Sequence, residues 1–172
     1  MSSVLRALPF VAVLLLCVGC DQAVKAAATS LLTGAEPVSL AGGAVQIELA
    51  YNPGAFLSLG GSWPPLLRSL LLQWLVPLGL VVLCVVALRS RSLTRLQLVA
   101  LGLLAGGGIG NSIDRIFQGG YVTDYVSIGV GALRTGVFNV ADVAVMAGVL
   151  VFALASRDEA RDAPAPDPAA AP

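Results

Sequence analysis

The sequence contains no histidine, only three cysteines and few charges, with Asp, Glu, Lys and Arg together at 12%. Each shortage removes a class of function. Without histidine there is no side chain whose ordinary titration straddles neutral pH, and no imidazole to activate a serine or cysteine nucleophile. The commonest metal ligand is missing as well. Cys17, Cys20 and Cys84 lie in apolar runs with no second pair to complete a zinc site. Cys17 and Cys20 have CxxC spacing, but an apolar helix is the plainer setting, and no cofactor or metal is expected. A formal net charge of zero argues against a nucleic-acid partner. What the chain has in excess is apolar surface, 57% of its residues. Soluble domains run at roughly 45–50%. A chain this apolar has little polar surface to show to water, so its main solvent is lipid.

At 172 residues the chain is long enough for one domain. Four apolar runs are read as membrane-spanning helices over about 4–25, 66–88, 96–113 and 137–155. Arg6 interrupts the first run near its start, and Val18-Gly19-Cys20 resembles the end of a lipobox. A lipoprotein precursor is therefore one alternative reading. Against it, Cys17 stands where Leu is usual, and the chain stays apolar after Cys20, which favours an uncleaved helix. Asp21 and Lys25 are four apart and can pair on one helix face. Glycines 106, 107, 108 and 110 enrich the end of the third run, where small residues let helices approach closely.

From Thr33 to Pro65 the composition changes to Gly, Pro, Ser and polar side chains, and the extramembrane lobe is taken as 26–65. Within it Val45, Ile47, Leu49 and Tyr51 alternate with Gln46, Glu48 and Ala50, the period of a strand with one apolar face. Asn52-Pro53-Gly54 then signals a turn, because Pro presets φ and Gly accepts positive φ. The tail 156–172, charged and then rich in Pro and Ala, is read as disordered. The expected fold is thus an all-α membrane protein of four spans, with a small β-containing lobe between the first two. Arg89, Arg91 and Arg95 in one short connection, and Arg157 and Arg161 after the last span, place those segments in the cytoplasm. The lobe 26–65 and the connection 114–136 then face the outer, periplasmic side.

With that orientation Asp21, Lys25, Asn52, Asn111, Asp114, Arg115, Asp124, Asn139 and Asp142 all fall at or beyond the outer helix ends. Ionisable groups at membrane depth are expensive, roughly 2.5–3.5 kcal/mol each at the bilayer centre, so one polar site on one face explains them economically. Asn111, Asp114 and Arg115 share a helix face, for which an ion pair and helix end is the plain alternative. Asn139 and Asp142 are three apart at the start of the fourth run, the spacing of a cap, although Asp142 already lies inside the apolar stretch. Asp124, in Tyr121-Val122-Thr123-Asp124, sits in a mixed apolar segment. Two close carboxylates share a proton, so one can take a proton from water while the other donates to a carbonyl. That is peptide hydrolysis of the aspartic type. A small transporter or binding protein with an acid pair is the other alternative, although its ionisable residues would be expected at mid-membrane and in repeated halves.

Five stretches in order carry a resemblance: Asp21-Gln22-Ala23-Val24-Lys25, Asn52-Pro53-Gly54-Ala55, Gly107 to Arg115, Val122-Thr123-Asp124, and Phe138 to Asp142. The chain resembles the lipoprotein signal peptidase (signal peptidase II) family along most of its length. The resemblance implies a four-helix inner-membrane protease, with no cofactor, that cuts prolipoproteins just before a diacylglyceryl-modified Cys. It implies Asp124 and Asp142 as the catalytic pair, with Asn52, Gly54, Asn111, Arg115 and Asn139 in supporting or substrate-binding roles. Asp21, Lys25 and Asp114 are expected to be structural polar residues. Membrane lipid and diacylglyceryl-modified prolipoproteins are the expected partners, with a monomer as the working unit. Two departures stand out: Ala55-Phe56-Leu57 where the family usually shows Ala-Ala-Phe, and Thr123 where it usually shows Val.

Overall fold

A computed structural model describes residues 3–162. Four stretches in it are long and apolar enough to cross a membrane: Leu5–Leu32, Pro65–Arg89, Arg95–Phe117 and Val140–Arg157. Helix α1 runs Ser3–Leu32, passing unbroken through Cys17 and Cys20 and beyond the expected end near residue 25. The extension follows from Ala26-Ala27-Ala28 and Leu31-Leu32, good helix formers that continue until Thr33-Gly34, where Gly34 takes a φ of 74°. The second span is assembled from α2 (Pro65–Arg68), a π-helical stretch over Ser69–Leu75 and α3 (Val76–Arg89). Pro77 follows directly on the π-helical stretch inside a continuous span, where such a local adjustment accommodates its missing N–H.

Helix α4 (Arg95–Phe117) opens with a reciprocal cap: Thr94 accepts from Gln97 N, and the Gln97 side chain accepts from Thr94 N. It continues past the expected end at residue 113, so Asp114 and Arg115 sit inside the last helical turns rather than beyond them. Gly119 and Gly120, both at positive φ, stop it. Helix α5 spans Val140–Asp162, starting later than residue 137 and running past residue 155. Residues 156–162 are therefore helical, where disorder was expected, because Ser156 to Asp162 contains no glycine or proline to end the helix. The rest of the expected disordered tail lies outside the described residues.

The larger correction concerns the lobe. Its sheet is built from both extramembrane segments, in the antiparallel order β1 (Val38–Leu40), β2 (Val45–Asn52), β3 (Val122–Val130) and β4 (Leu133–Arg134). The strand read over residues 45–51 is present, but neither of its faces is deeply buried before Asn52. The segment bearing Asp124 forms a strand because Val122, Tyr125, Val126 and Ile128 are β-favouring residues offered an edge by β2. A bulge between Ile47 and Ala50 shifts the register so that Ala50 lies opposite Asp124 and Asn52 opposite Val122. Asn52 is thus the diagonal neighbour of Asp124 on one face of the sheet.

Helix α4 lies at the centre, packed against α1, α3 and α5. Its glycines are the contact surfaces. Gly102, Gly106 and Gly110, four apart, back onto Phe10 and Val13, Leu14 and Cys17, and Asp21 of α1. Gly107 backs onto Ala141 and Val145 of α5. Far from the carboxylates, Phe10, Ala87, Leu98 and Ala105 form a small buried core. A Cβ on Gly107 would drive into the carbonyl oxygen of Ala141, which as backbone cannot swing aside. Gly107→Ala is therefore expected to lower stability by about 1–3 kcal/mol, read as a fall in the thermal unfolding midpoint in detergent. Gly79→Ala, where a Cβ meets nothing within 4 Å, is expected to leave the midpoint level or raise it.

Candidate active site

Three elements deliver the two carboxylates and their partners. Strand β3 carries Asp124, the first turn of α5 carries Asp142, and α4 carries Asn111, Asp114 and Arg115. Asn139 stands just ahead of α5 and caps it: its Oδ1 accepts from Asp142 N at 2.9 Å, and Asp142 Oδ2 accepts from Asn139 N at 3.3 Å. The capping arrangement suggested by the spacing is therefore real. It does not exhaust the role of either residue. The Asn139 amide nitrogen also donates to Asp124 Oδ1 at 2.6 Å, to Asn111 Oδ1 at 3.0 Å and to the carbonyl of Thr123 at 3.3 Å. Asn111 in turn donates to Asp142 Oδ1 at 2.8 Å. Asp124 and Asp142 are thus joined through two amides, although 17 residues separate them in the chain.

The other oxygen of Asp124 accepts from Asn52 Nδ2 at 2.9 Å, along the diagonal set by the sheet register. Asn52 is itself held in a side-chain turn, its Oδ1 accepting from Gly54 N at 2.8 Å. Gly54 O receives Arg115 Nη2 at 2.7 Å, so the Asn52-Pro53-Gly54 turn is clamped to α4. The Nε of Arg115 is buried and has no hydrogen-bond partner. Asp124 is 1% exposed and Asp142 6% exposed. Burial pushes the Asp124 carboxyl up to about 6; the Asn52 bond pulls it down, and the nearby charge of Asp142 pushes it further up.

A second polar cluster stands directly behind. Lys25 Nζ reaches Asp21 Oδ2 at 2.8 Å, Asp114 Oδ2 at 3.0 Å and Asn111 Oδ1 at 2.8 Å, which uses all three ammonium protons. Asp21 Oδ1 accepts from Ala141 N at the start of α5, tying the first span to the fourth. Asp114 Oδ2 accepts from Thr123 N, which fixes the residue before Asp124 to the third span. The close approach of Asp21 is possible because Gly110 has no side chain; a Cβ there would lie 2.5 Å from Asp21 Oδ2. All ten residues singled out in the sequence thus belong to one connected network, by direct bonds or through a shared neighbour.

Three participants were given no role in the sequence reading, although Gln22 and Thr123 stand in its motifs. Gln22 donates to Asp114 Oδ1 at 3.1 Å and to the carbonyl of Gly110. Its position between Asp21 and Lys25 was the available signal. Gln73 donates to the Arg115 carbonyl from the π-helical stretch, and nothing in the apolar run around it points there. Thr123, the departure from the usual Val, uses its hydroxyl to donate to Gln118 Oε1 at 3.1 Å, a bond that valine cannot make. Among the described residues no cluster of His, Cys, Asp and Glu could hold a metal ion. The arrangement offers instead two buried carboxylates with amide donors around them.

A family model described as signal peptidase (SPase) II matches residues 13–157. A lipoprotein signal peptidase of Treponema denticola is 34% identical over 126 residues, covering 71% of this chain and 73% of that one. One from Parasynechococcus marenigrum is 36% identical over 154 residues, covering 87% and 89%. A bacterial membrane enzyme solved by the in meso method shares the fold, with a TM-score of 0.74 at 20% identity over 92% of this chain and 93% of that one.

Proposed function

This chain belongs to the signal peptidase II family, and on that premise we propose that it removes signal peptides from prolipoproteins by aspartic hydrolysis. One observation supports the mechanism above others: carboxylates from two separate segments meet on the amides of Asn139 and Asn111. In this reading the ionised acid, Asp142, takes a proton from water as its oxygen bonds to the scissile carbonyl carbon. The protonated acid, Asp124, donates to the carbonyl oxygen. As the tetrahedral species collapses, the leaving nitrogen takes a proton from the dyad. The products are a carboxylate on the signal peptide and a free amine on the diacylglyceryl-modified Cys.

The supporting residues have physical tasks in this scheme. Asn52, Asn111 and Asn139 hold the acids by donation alone, which leaves lone pairs for the shared proton. Arg115 anchors Gly54 and keeps Nε as a donor for a substrate carbonyl. Asp21, Lys25 and Asp114 lock α1, α4, α5 and β3 around the pair. Every residue of the site comes from one chain, so a monomer suffices. We place the protein in the bacterial inner membrane with the sheet and the dyad on the outer side, where water reaches a substrate whose lipid stays in the bilayer. The test uses a synthetic peptide carrying diacylglyceryl-Cys beside its unlipidated twin. Cleavage before the lipidated Cys alone is the expected result; equal cleavage of both peptides, or of neither, overturns it.

A further inference from the structure

The opposite end of the bundle carries a second charged feature. A cavity of about 500 Å³ opens between the start of α1 and the end of α3, lined by Arg6, Arg89 and Arg91. It is well removed from the carboxylates: Arg6 and Asp21 are 15 residues apart on α1, a helical rise of roughly 22 Å. Among the residues whose side chains are described, no ion pair is found at Arg6, Arg89 or Arg91. Arginines that only set membrane orientation need no cavity and reach freely into water. Arg6 does not behave that way. Its Nη2 donates to the carbonyl of Leu93 at 2.6 Å, which pins the guanidinium across the connection between the second and third spans.

The floor of the cavity has a different character from its rim. Ala87 and Leu98, 3% and 1% exposed, belong to the small apolar core and close the bottom. Ser90 adds a hydroxyl beside the arginines. A guanidinium rim above an apolar floor matches an amphiphile: phosphate oxygens on the rim, glycerol and the first methylenes below. A free phosphate would use the rim and leave the floor unfilled. Basic pockets between spans at this kind of helix end are suited to anionic lipid headgroups.

We propose that this cavity is a binding site for the phosphodiester headgroup of an anionic membrane phospholipid. The site is separate from the peptidase centre and does not depend on its chemistry. The bound headgroup places one negative charge among three like charges that the fold brings around one opening, and it bridges the first and second spans.

Native mass spectrometry of the full-length detergent-purified protein tests this, with phosphatidylglycerol, phosphatidylcholine and inorganic phosphate as separate probes. Phosphatidylglycerol is expected to remain bound and to raise the thermal midpoint, with phosphatidylcholine and inorganic phosphate doing neither. The double variant Arg89→Gln/Arg91→Gln, which leaves the Arg6 bond to Leu93 intact, is expected to bind phosphatidylglycerol about thirtyfold more weakly. Retention of phosphatidylcholine as strong as that of phosphatidylglycerol overturns the proposal, as does an unaltered affinity in the double variant. Equal protection by inorganic phosphate also overturns it, leaving a soluble-anion site. The comparison of probes on the unmutated protein decides the matter even if the double variant fails to fold.

Discussion

Asp124→Asn and Asp142→Asn are each expected to slow turnover of a lipidated peptide by roughly 10³–10⁴-fold, the scale of a lost acid or base. Asparagine keeps the shape of the side chain and removes its capacity to take up a proton. The two residues share partners, since Asn139 bonds to both and Asn111 reaches Asp142. Residues that act as one unit are strongly non-additive, so the double variant should be scarcely slower than either single one. Substrate binding should survive, because asparagine keeps the size and shape of each acid. Folding has its own signature at Asp124. Its carboxyl titrates near about 6 in the folded chain against an ordinary 3.8. A raised acid adds stability that is fully present below the unfolded value and is lost as pH rises through the folded one. The unmutated protein should therefore lose up to about 3 kcal/mol from this group between about pH 4 and pH 7. Asp124→Asn should lack that component. A well-folded dyad variant turning over at close to the unmutated rate would remove the mechanism.

Much of this arrangement is legible in the residues themselves. The four spans follow from apolar length, and the polar residues gathered at one end of them turn out to form one network. The strand read over residues 45–51 is visible because alternation is a local property, and it is found over Val45–Asn52. Strand β3 is not, because Tyr121 to Val130 reads equally well as an interfacial segment until β2 supplies an edge to pair with. The helix ends move for a similar reason. Asp114 and Arg115 are legible as sharing a helix face with Asn111 at the helix end, but their partners Lys25, Thr123 and Gly54, which satisfy them inside α4, are not. Gln73 is hidden by the apolar run around it, since its partner, the Arg115 carbonyl, is supplied by another span. Sequence shows which residues need partners; only the tertiary packing shows who the partners are.

The largest stability effect is expected at Lys25. Its ammonium is 4% exposed and faces Asp21 and Asp114, whose side chains are 0% and 2% exposed. Removing one partner of a buried ion pair leaves an uncompensated charge, at about 3–5 kcal/mol. Lys25→Met keeps length and apolar volume, so its effect reads the charge rather than a cavity. Two carboxylates would then stand together without a cation, and the expected fall in the thermal midpoint corresponds to that full range or more. Asp114→Asn is milder, because Lys25 retains Asp21 and the asparagine oxygen can still accept from Thr123 N. A loss of about 1–3 kcal/mol fits one weakened charged hydrogen bond, and whatever protein folds should retain measurable turnover. Lys25→Met should also lower activity in the folded fraction, since Lys25 orients Asn111 through Oδ1 and Asn111 holds Asp142. Combining Lys25→Met with Asp21→Asn is expected to recover part of the lost stability by removing one stranded charge. A thermal midpoint unchanged by Lys25→Met, measured at neutral pH in the same detergent, would mean that the ion cluster does not hold the spans together.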